Sequence, residues 1–186
     1  MKIIPTELTG CVVIEPTIYR DQRGFFYESW HADRYADEVG INRPFVQSNV
    51  SCSQQGVLRG LHYQWSRPQG KLVSVLQGEV YDVAVDLRRG SPQFGRFAAV
   101  ILSEANHRQF WIPEGFAHGF AVLSEQAIFS YSCTDTYQKE FDAAVRWNDG
   151  TIAIDWPIAT PLLSEKDSVA PLLEQIPAER LPVYLP

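Results

Sequence analysis

The chain has 186 residues, 45% hydrophobic and 12% aromatic, enough apolar mass for one packed domain and too much for a disordered chain. Its formal net charge of −6 argues against a general nucleic-acid binder, which needs a basic surface, yet a small anion can still be held by a few converging cations. No run approaches the roughly 18 apolar residues of a membrane span, the start Met1-Lys2-Ile3-Ile4-Pro5 lacks the apolar core of a secretory signal, and Cys11, Cys52 and Cys133 form no CxxC pair, so a cytoplasmic protein with free thiols is expected.

In chain order, short runs rich in β-branched and aromatic residues predict strands over residues 12–19, 24–30, 46–53, 57–64, 71–76, 79–87, 96–102, 119–123 and 127–137. Residues 31–39 read as a helix stopped by Gly40. A second short helix is expected in the tail, over 169–175. Gln77-Gly78 reads as a tight hairpin and Ser91-Pro92-Gln93-Phe94-Gly95 as a turn. No repeat or flexible linker divides the chain, so residues 1–186 are read as one domain. Many short antiparallel strands predict an all-β sandwich or jelly-roll barrel with a few short helices. In residues 71–76, Val73 and Val75 alternate with Leu72 and Leu76, so that strand should be covered on both faces, by a second sheet or a second subunit. A dimer would bury such outer apolar surface.

Two segments resemble the paired motifs of the cupin superfamily. Gly56 is followed after five residues by His62, Gly78 closes the first motif, and Pro113-Glu114-Gly115-Phe116-Ala117-His118 matches the second. Two of the usual metal ligands are replaced: Gln64 stands for the second histidine of His-x-His, and Lys71 for the glutamate. A divalent ion needs several deprotonated N or O donors, and a nearby ammonium opposes it. A metal-free site is therefore expected, with Lys71 suited to a phosphate or a developing oxyanion.

Longer strings carry a closer resemblance. Arg23-Gly24-Phe25-Phe26-Tyr27-Glu28, Gly56-Val57-Leu58-Arg59-Gly60-Leu61-His62-Tyr63-Gln64 and Gln69-Gly70-Lys71-Leu72-Val73 are similar to the dTDP-4-dehydrorhamnose 3,5-epimerase family. So are Trp111-Ile112-Pro113, Gly115-Phe116-Ala117-His118-Gly119-Phe120, Trp147-Asn148-Asp149 and Leu163-Ser164-Glu165-Lys166-Asp167. The resemblance implies a cofactor-free homodimeric cupin that inverts C3 and C5 of a dTDP-linked 4-keto-6-deoxyhexose.

Hydrogens at C3 and C5 flank the C4 carbonyl, so removing either gives an enolate. The reaction needs a base on one face, a cation at O4 and an acid on the other face, with no redox cofactor. His62 is the candidate base, since imidazole titrates near neutral pH. Asp167 would orient it; alone, that residue reads as a helix cap or surface carboxylate, and the resemblance is what promotes it. Lys71 would hold the C4 oxyanion and Tyr131 would be the acid, its phenol protonated at neutral pH. By resemblance, Arg23, Arg59, His118 and Lys166 contact the diphosphate and sugar, and Phe26, Glu28, Gln47 and Asn49 recognise the base. Arg59 and His62 have opposite strand parity, so both can face inward only if the strand is irregular near Gly60.

The match departs from the family where Lys139 replaces a proline, Asp142 stands for an expected glutamate contact, and Gly150 replaces a proline. Inversion of C3 alone is the nearest rival reading. A non-catalytic sugar-nucleotide-binding module comes next, and a metal-dependent cupin oxygenase or isomerase last, given Gln64 and Lys71.

Overall fold

The computed structural model describes residues 1–185. Thirteen strands are present among them: β1 (Lys2–Pro5), β2 (Val12–Glu15), β3 (Tyr19–Asp21), β4 (Gly24–Phe26), β5 (Gln47–Gln54), β6 (Leu58–Gln64), β7 (Lys71–Gln77), β8 (Glu79–Asp86), β9 (Phe97–Ser103), β10 (Gln109–Ile112), β11 (Phe116–Val122), β12 (Gln126–Cys133) and β13 (Asp142–Ala144). Two helices, α1 (Ala32–Val39) and α2 (Glu165–Ser168), and two 3-10 turns, at Leu173–Gln175 and Ala178–Arg180, complete the fold.

The strands form a six-stranded sheet, β1-β2-β10-β7-β12-β5, and a five-stranded sheet, β13-β6-β11-β8-β9. The pairings within both are antiparallel. Both sheets keep free edges, so the jelly roll is a sandwich and not a closed barrel. Between them, Val73, Val75, Phe110 and Phe129 of one sheet pack on Val80, Ala84, Phe120 and Val122 of the other. Phe120 and Phe129 stack across this interface with centroids 4.2 Å apart.

The five-stranded sheet is apolar on its outer face too, where Leu58, Leu61, Tyr63, Val83 and Val85 lie under Val145, Ile152, Trp156 and Leu173. The outer face of the six-stranded sheet is covered in part. Leu72 and Ile14 are buried beneath Tyr35 of α1 and Ile41, whereas Leu76 and Val50 are exposed. The cover expected on the second face of residues 71–76 is thus the α1 segment of the same chain, and it reaches Leu72 but not Leu76. Local chemistry fixes α1: the His31 ring accepts from Arg34 N at its start, and Gly40, at φ 85°, returns its N–H to the Ala36 carbonyl at its end.

Several expected elements are corrected. Gln77-Gly78 is no hairpin, because β7 and β8 belong to different sheets and the chain crosses between layers there. Gly78, at φ +80°, leaves no room for a side chain: a Cβ would sit 2.1 Å from the Gln126 carbonyl oxygen. The run 12–19 is split after Glu15, where Pro16 cannot donate to a ladder, and the run 24–30 pairs only through Phe26. The tail helix lies earlier than expected, at Glu165–Ser168, leaving a 3-10 turn at Leu173–Gln175.

The irregularity expected at Gly60 is present. His62 pairs with His118 and Arg59 with Phe120, so Gly60 and Leu61 together oppose Gly119. Gly60 has φ +126°, and a Cβ there would lie 2.6 Å from Gly119 Cα. The extra residue resets the alternation. Leu58, Leu61 and Tyr63 join the outer cluster, while Arg59 bonds Ser53 between the sheets and His62 and Gln64 face the cavity there.

Candidate active site

One end of the sandwich opens into a cavity of about 330 Å³. The five-stranded sheet contributes His62 and Gln64 from β6 and Asp142 from β13; the six-stranded sheet contributes Lys71, Tyr131, Cys133, Gln47 and Asn49. Tyr137 and Lys166 close the rim. Larger surface depressions exist, but one of about 700 Å³, lined by Gln54, Gln77, Glu104 and Gln126 among others, offers amides and carboxylates without a base and acid facing one another.

His62 Nε2 lies 2.5 Å from Asp167 Oδ1. An ionised carboxylate only accepts, so Nε2 carries the proton, and in the neutral imidazole Nδ1 is left with the lone pair. Asp167 is 2% exposed and sits one turn into α2, where its N–H donates to the capping Ser164 Oγ. Burial raises its pKa, but the His62 and Ser164 hydrogen bonds and the Gly60 N–H outweigh this and leave the carboxyl below its ordinary range.

Lys71 is 9% exposed, and burial lowers its pKa against the pull of Cys133, Asp82 and Asp142. No hydrogen bond to its Nζ is made among the described residues, so the amine reaches the cavity without a protein partner. Tyr131, on the neighbouring strand with Val73 as its pair, has its pKa raised by burial and keeps its phenolic proton. Burial also raises the Cys133 thiol, with Lys71 opposing it.

Gln64 does not stand ready as a metal ligand. Its Nε2 donates to the Arg67 carbonyl at 2.8 Å and its Oε1 accepts from Gln138 N at 2.6 Å, fastening the loop after β12. With an ammonium at position 71 and this amide engaged, the side chains present do not fit a divalent ion.

The remaining expected residues divide into two groups. Arg59 donates to Ser53 at 3.0 Å, and its charge acts on Tyr131. His118 lies opposite His62, and Asp142 accepts from Tyr137 Oη at 3.1 Å while pairing with Lys166. Gln47 and Asn49 bond one another at 3.1 Å, and Gln47 also accepts from Tyr137 N. Arg23 and Phe26, by contrast, lie on the β3–β4 hairpin and line a separate depression of about 520 Å³. Glu28 is paired with Arg34 of α1 at 2.7 Å. The chain does not bring these three to the His62 cavity.

Asp82 escaped the sequence reading. Fully buried, it accepts from His118 Nε2 at 2.9 Å. Burial lowers the His118 pKa against the pull of Asp82, so a neutral imidazole donates to a carboxylate. A signal was available: alternation along β8 places Asp82 inward with Val80 and Ala84, and an inward carboxylate in an apolar strand calls for a partner. Gln69 and Tyr137 line the cavity and were also missed as site residues.

The family model described as dTDP-4-dehydrorhamnose 3,5-epimerase matches residues 5–175. A curated protein of that name from Methanothermobacter thermautotrophicus is 47% identical over 99% of this chain and 98% of its own length. A crystal structure of dTDP-6-deoxy-D-glucose-3,5-epimerase from Legionella pneumophila, in complex with dTDP-4-keto-L-rhamnose, is 57% identical, superposes with a TM-score of 0.98, and covers 100% of this chain and 99% of that one. A 3'-monoepimerase from Streptomyces bikiniensis, in complex with dTDP-quinovose, is 34% identical with a TM-score of 0.89, over 97% of this chain and 93% of that one.

Proposed function

The chain belongs to the dTDP-4-dehydrorhamnose 3,5-epimerase family, and from that premise we propose how its residues divide the chemistry of inverting C3 and C5 of dTDP-4-dehydro-6-deoxyglucose. One observation carries the proposal: His62 and Tyr131 come from opposite sheets and line the same cavity. A sugar ring between them meets a base on one face and an acid on the other.

His62 Nδ1 takes the proton from the carbon beside the C4 ketone, and the C–H electron pair moves into the ring as the enolate. Asp167 holds the resulting imidazolium in place. Lys71 Nζ meets the negative charge on O4, in a setting where burial strengthens the attraction. Tyr131 Oη gives a proton to the opposite face, so the configuration inverts. His62, 34% exposed, returns its proton to water, and the Tyr131 phenolate regains one before the second carbon reacts. No step needs a metal or redox cofactor. Arg59, His118 and Lys166 serve the diphosphate and sugar, and Gln47 and Asn49 the base. Among the described residues no helix is long and apolar enough to cross a membrane. The cytoplasm is proposed as the place of work, where free thiols persist.

The hairpin residues imply a second copy. Arg23, Phe26 and Glu28 suit a nucleotide but lie away from the cavity within one chain, and Phe26 is 69% exposed. A homodimer in which the hairpin of one copy completes the site of the other reunites them. Mixing His62→Ala with Arg23→Ala protein tests this: if the two chains share sites, mixed dimers regain one intact site each and about a quarter of wild-type activity. Absence of rescue, with dimers exchanging freely, sinks the shared site.

The division of roles is tested by following dTDP-4-keto-6-deoxyglucose in heavy water by NMR. Deuterium at C3 and C5, abolished in His62→Ala, is the expected result. Exchange at C3 alone would support the single epimerase, and exchange persisting in His62→Ala would remove His62 as base.

A further inference from the structure

Among the described residues the β3–β4 hairpin pairs only with itself, as a two-stranded sheet outside the sandwich. An isolated pair of three-residue strands is marginal in water, so its direction depends on what its side chains hold. Register divides those side chains into two faces. Arg20 pairs with Phe25, and these two with Tyr27 contact the body through His107, although Phe25 stays 54% exposed; Tyr19 pairs with Phe26 on the other face, 63% and 69% exposed.

The inward face converges on one residue. The His107 ring lies 4.6 Å from the Phe25 ring and 5.3 Å from the Tyr27 ring, and its Nε2 is 3.5 Å from Arg20 Nη2. Phe25 also lies under the Arg20 guanidinium, 5.5 Å away. His107 is 8% exposed, follows β9 and is held at φ 52°, with its N–H on the Ser103 carbonyl. A guanidinium only donates, so Nε2 must offer a lone pair, which requires a neutral ring.

We propose that His107 is a positioning residue for substrate binding: it clamps the β3–β4 hairpin and so sets how Arg23 and Phe26 are presented to the nucleotide end of a dTDP-linked sugar. The inference rests on the reading that this hairpin completes a nucleotide site. Acid should loosen the clamp. Burial and the Arg20 guanidinium push the His107 pKa below its ordinary value, and Glu104 is the carboxylate acting against them. Once protonated, the ring loses its acceptor and repels Arg20. Neither His107 nor Arg20 lines the His62 cavity, so the chemistry itself should be untouched.

The test uses the full-length protein and dTDP-glucose, which has no C4 ketone to react and whose diphosphate does not titrate in mild acid. Its Kd is measured by calorimetry from about pH 7.5 down to about pH 4.5, a range that extends well below the ordinary imidazole pKa because His107 titrates below it. In His107→Ala the Kd, and the KM for the keto sugar, should rise about tenfold at pH 7.5 while kcat stays within about twofold, the aromatic contacts being lost but not the base. His107→Phe keeps an aromatic ring and cannot titrate; it should bind well at the higher pH and lose the part of the acid weakening that His107 causes. Arg23→Ala and Phe26→Ala are the controls. If they weaken binding and His107→Ala does not, the clamp is wrong and the hairpin reading stands. If neither control weakens binding, the hairpin reading fails and the inference with it. A fall in kcat with unchanged KM, or acid weakening as strong in His107→Phe as in wild type, would also overturn it.

Discussion

His62 and His118 are partners across the β6–β11 ladder, and each donates through Nε2 to a buried aspartate carried by a different element, Asp167 on α2 and Asp82 on β8. The two pairs differ in access. The His62 side chain is 34% exposed and the His118 side chain 7%, so only His62 can exchange protons readily with water. One fold thus holds two His–Asp pairs side by side, one suited to moving protons and one to staying neutral.

Asp167→Asn separates orientation from packing. The amide is close in size but can present its NH2 to Nε2, forcing the ring proton onto Nδ1 and removing the lone pair that would act as base. The kcat should fall about 10³- to 10⁴-fold, by analogy with the loss of tautomer control in catalytic triads. Binding of dTDP-glucose should be unchanged by calorimetry. A loss smaller than about tenfold would mean that Asp167 serves packing and not tautomer control.

Asp82→Ala leaves the buried His118 N–H without its acceptor. The expected loss is about 1–3 kcal/mol, the penalty of an unsatisfied buried donor, read as a lower urea midpoint at unchanged m-value. Asp82→Asn can still accept from Nε2 and should lose less. Equal losses in the two variants would mean that the carboxylate's charge, which both remove, dominates, and not the hydrogen bond as such.

Gly60→Ala tests the bulge. At φ +126°, with Gly119 Cα 2.6 Å from the new Cβ, the substitution is strained and crowded together, and about 3 kcal/mol or more should be lost. Straightening β6 would also turn Arg59 and His62 to opposite faces. Activity should therefore fall well below what the folded fraction by circular dichroism accounts for.

The bulge was legible in the sequence because two residues with inward work had opposite parity, with a glycine between them. The sandwich itself followed from many short β-branched runs. The strands that were missed had other reasons to form. Phe110, Trp111 and Ile112 of β10 are buried on both faces and so show no alternation, and Asp142-Ala143-Ala144 of β13 is poor in strand formers and extends through its pairing with β6. Gln77-Gly78 has turn chemistry, but a dipeptide cannot say that the next strand joins the other sheet. At the site, Lys71 could be named from the cupin motif, and His62 and Tyr131 as base and acid only once the family resemblance was added to motif and alternation. Asp82 required asking which strand positions face inward, and the separation of Arg23, Phe26 and Glu28 from the cavity is a property of the whole fold.

Asp86 should dominate one part of the acid limb of stability. It is fully buried and accepts from Arg88 N, Nε and Nη2 and from Ser91 Oγ, at 2.6 to 2.9 Å. Burial raises its pKa, and these four donors outweigh burial and hold it below the ordinary carboxyl value. The folded state then binds its proton less readily than the unfolded chain. The stabilisation is fully present above the unfolded value, near pH 4, and is lost as pH falls through it toward the depressed folded value. Urea unfolding across this range should show Asp86→Asn less stable by about 2 kcal/mol at neutral pH, with the difference narrowing as pH falls below about 4 and closing only below the depressed folded value. A constant difference at all pH values would mean that the charge contributes nothing.

His62 and His118 remain in place across the β6–β11 ladder, and the two positions that depart from the cupin ligand set are Gln64 and Lys71. Gln64→His alone should gain no metal, because Lys71 still places an ammonium in the cavity, and it should lower stability by about 1–2 kcal/mol through the lost bonds to Arg67 and Gln138. Gln64→His with Lys71→Glu restores both donors and removes the opposing charge. Stoichiometric zinc or nickel in the double variant, measured after dialysis, and none in either single variant is the expected pattern. Zinc bound by wild-type protein with the affinity of the double variant would show that Lys71 does not exclude it. Epimerase activity should be lost in the double variant whether or not metal is bound, since the cation meeting the enolate oxygen would be gone and His62 would be drawn into coordination.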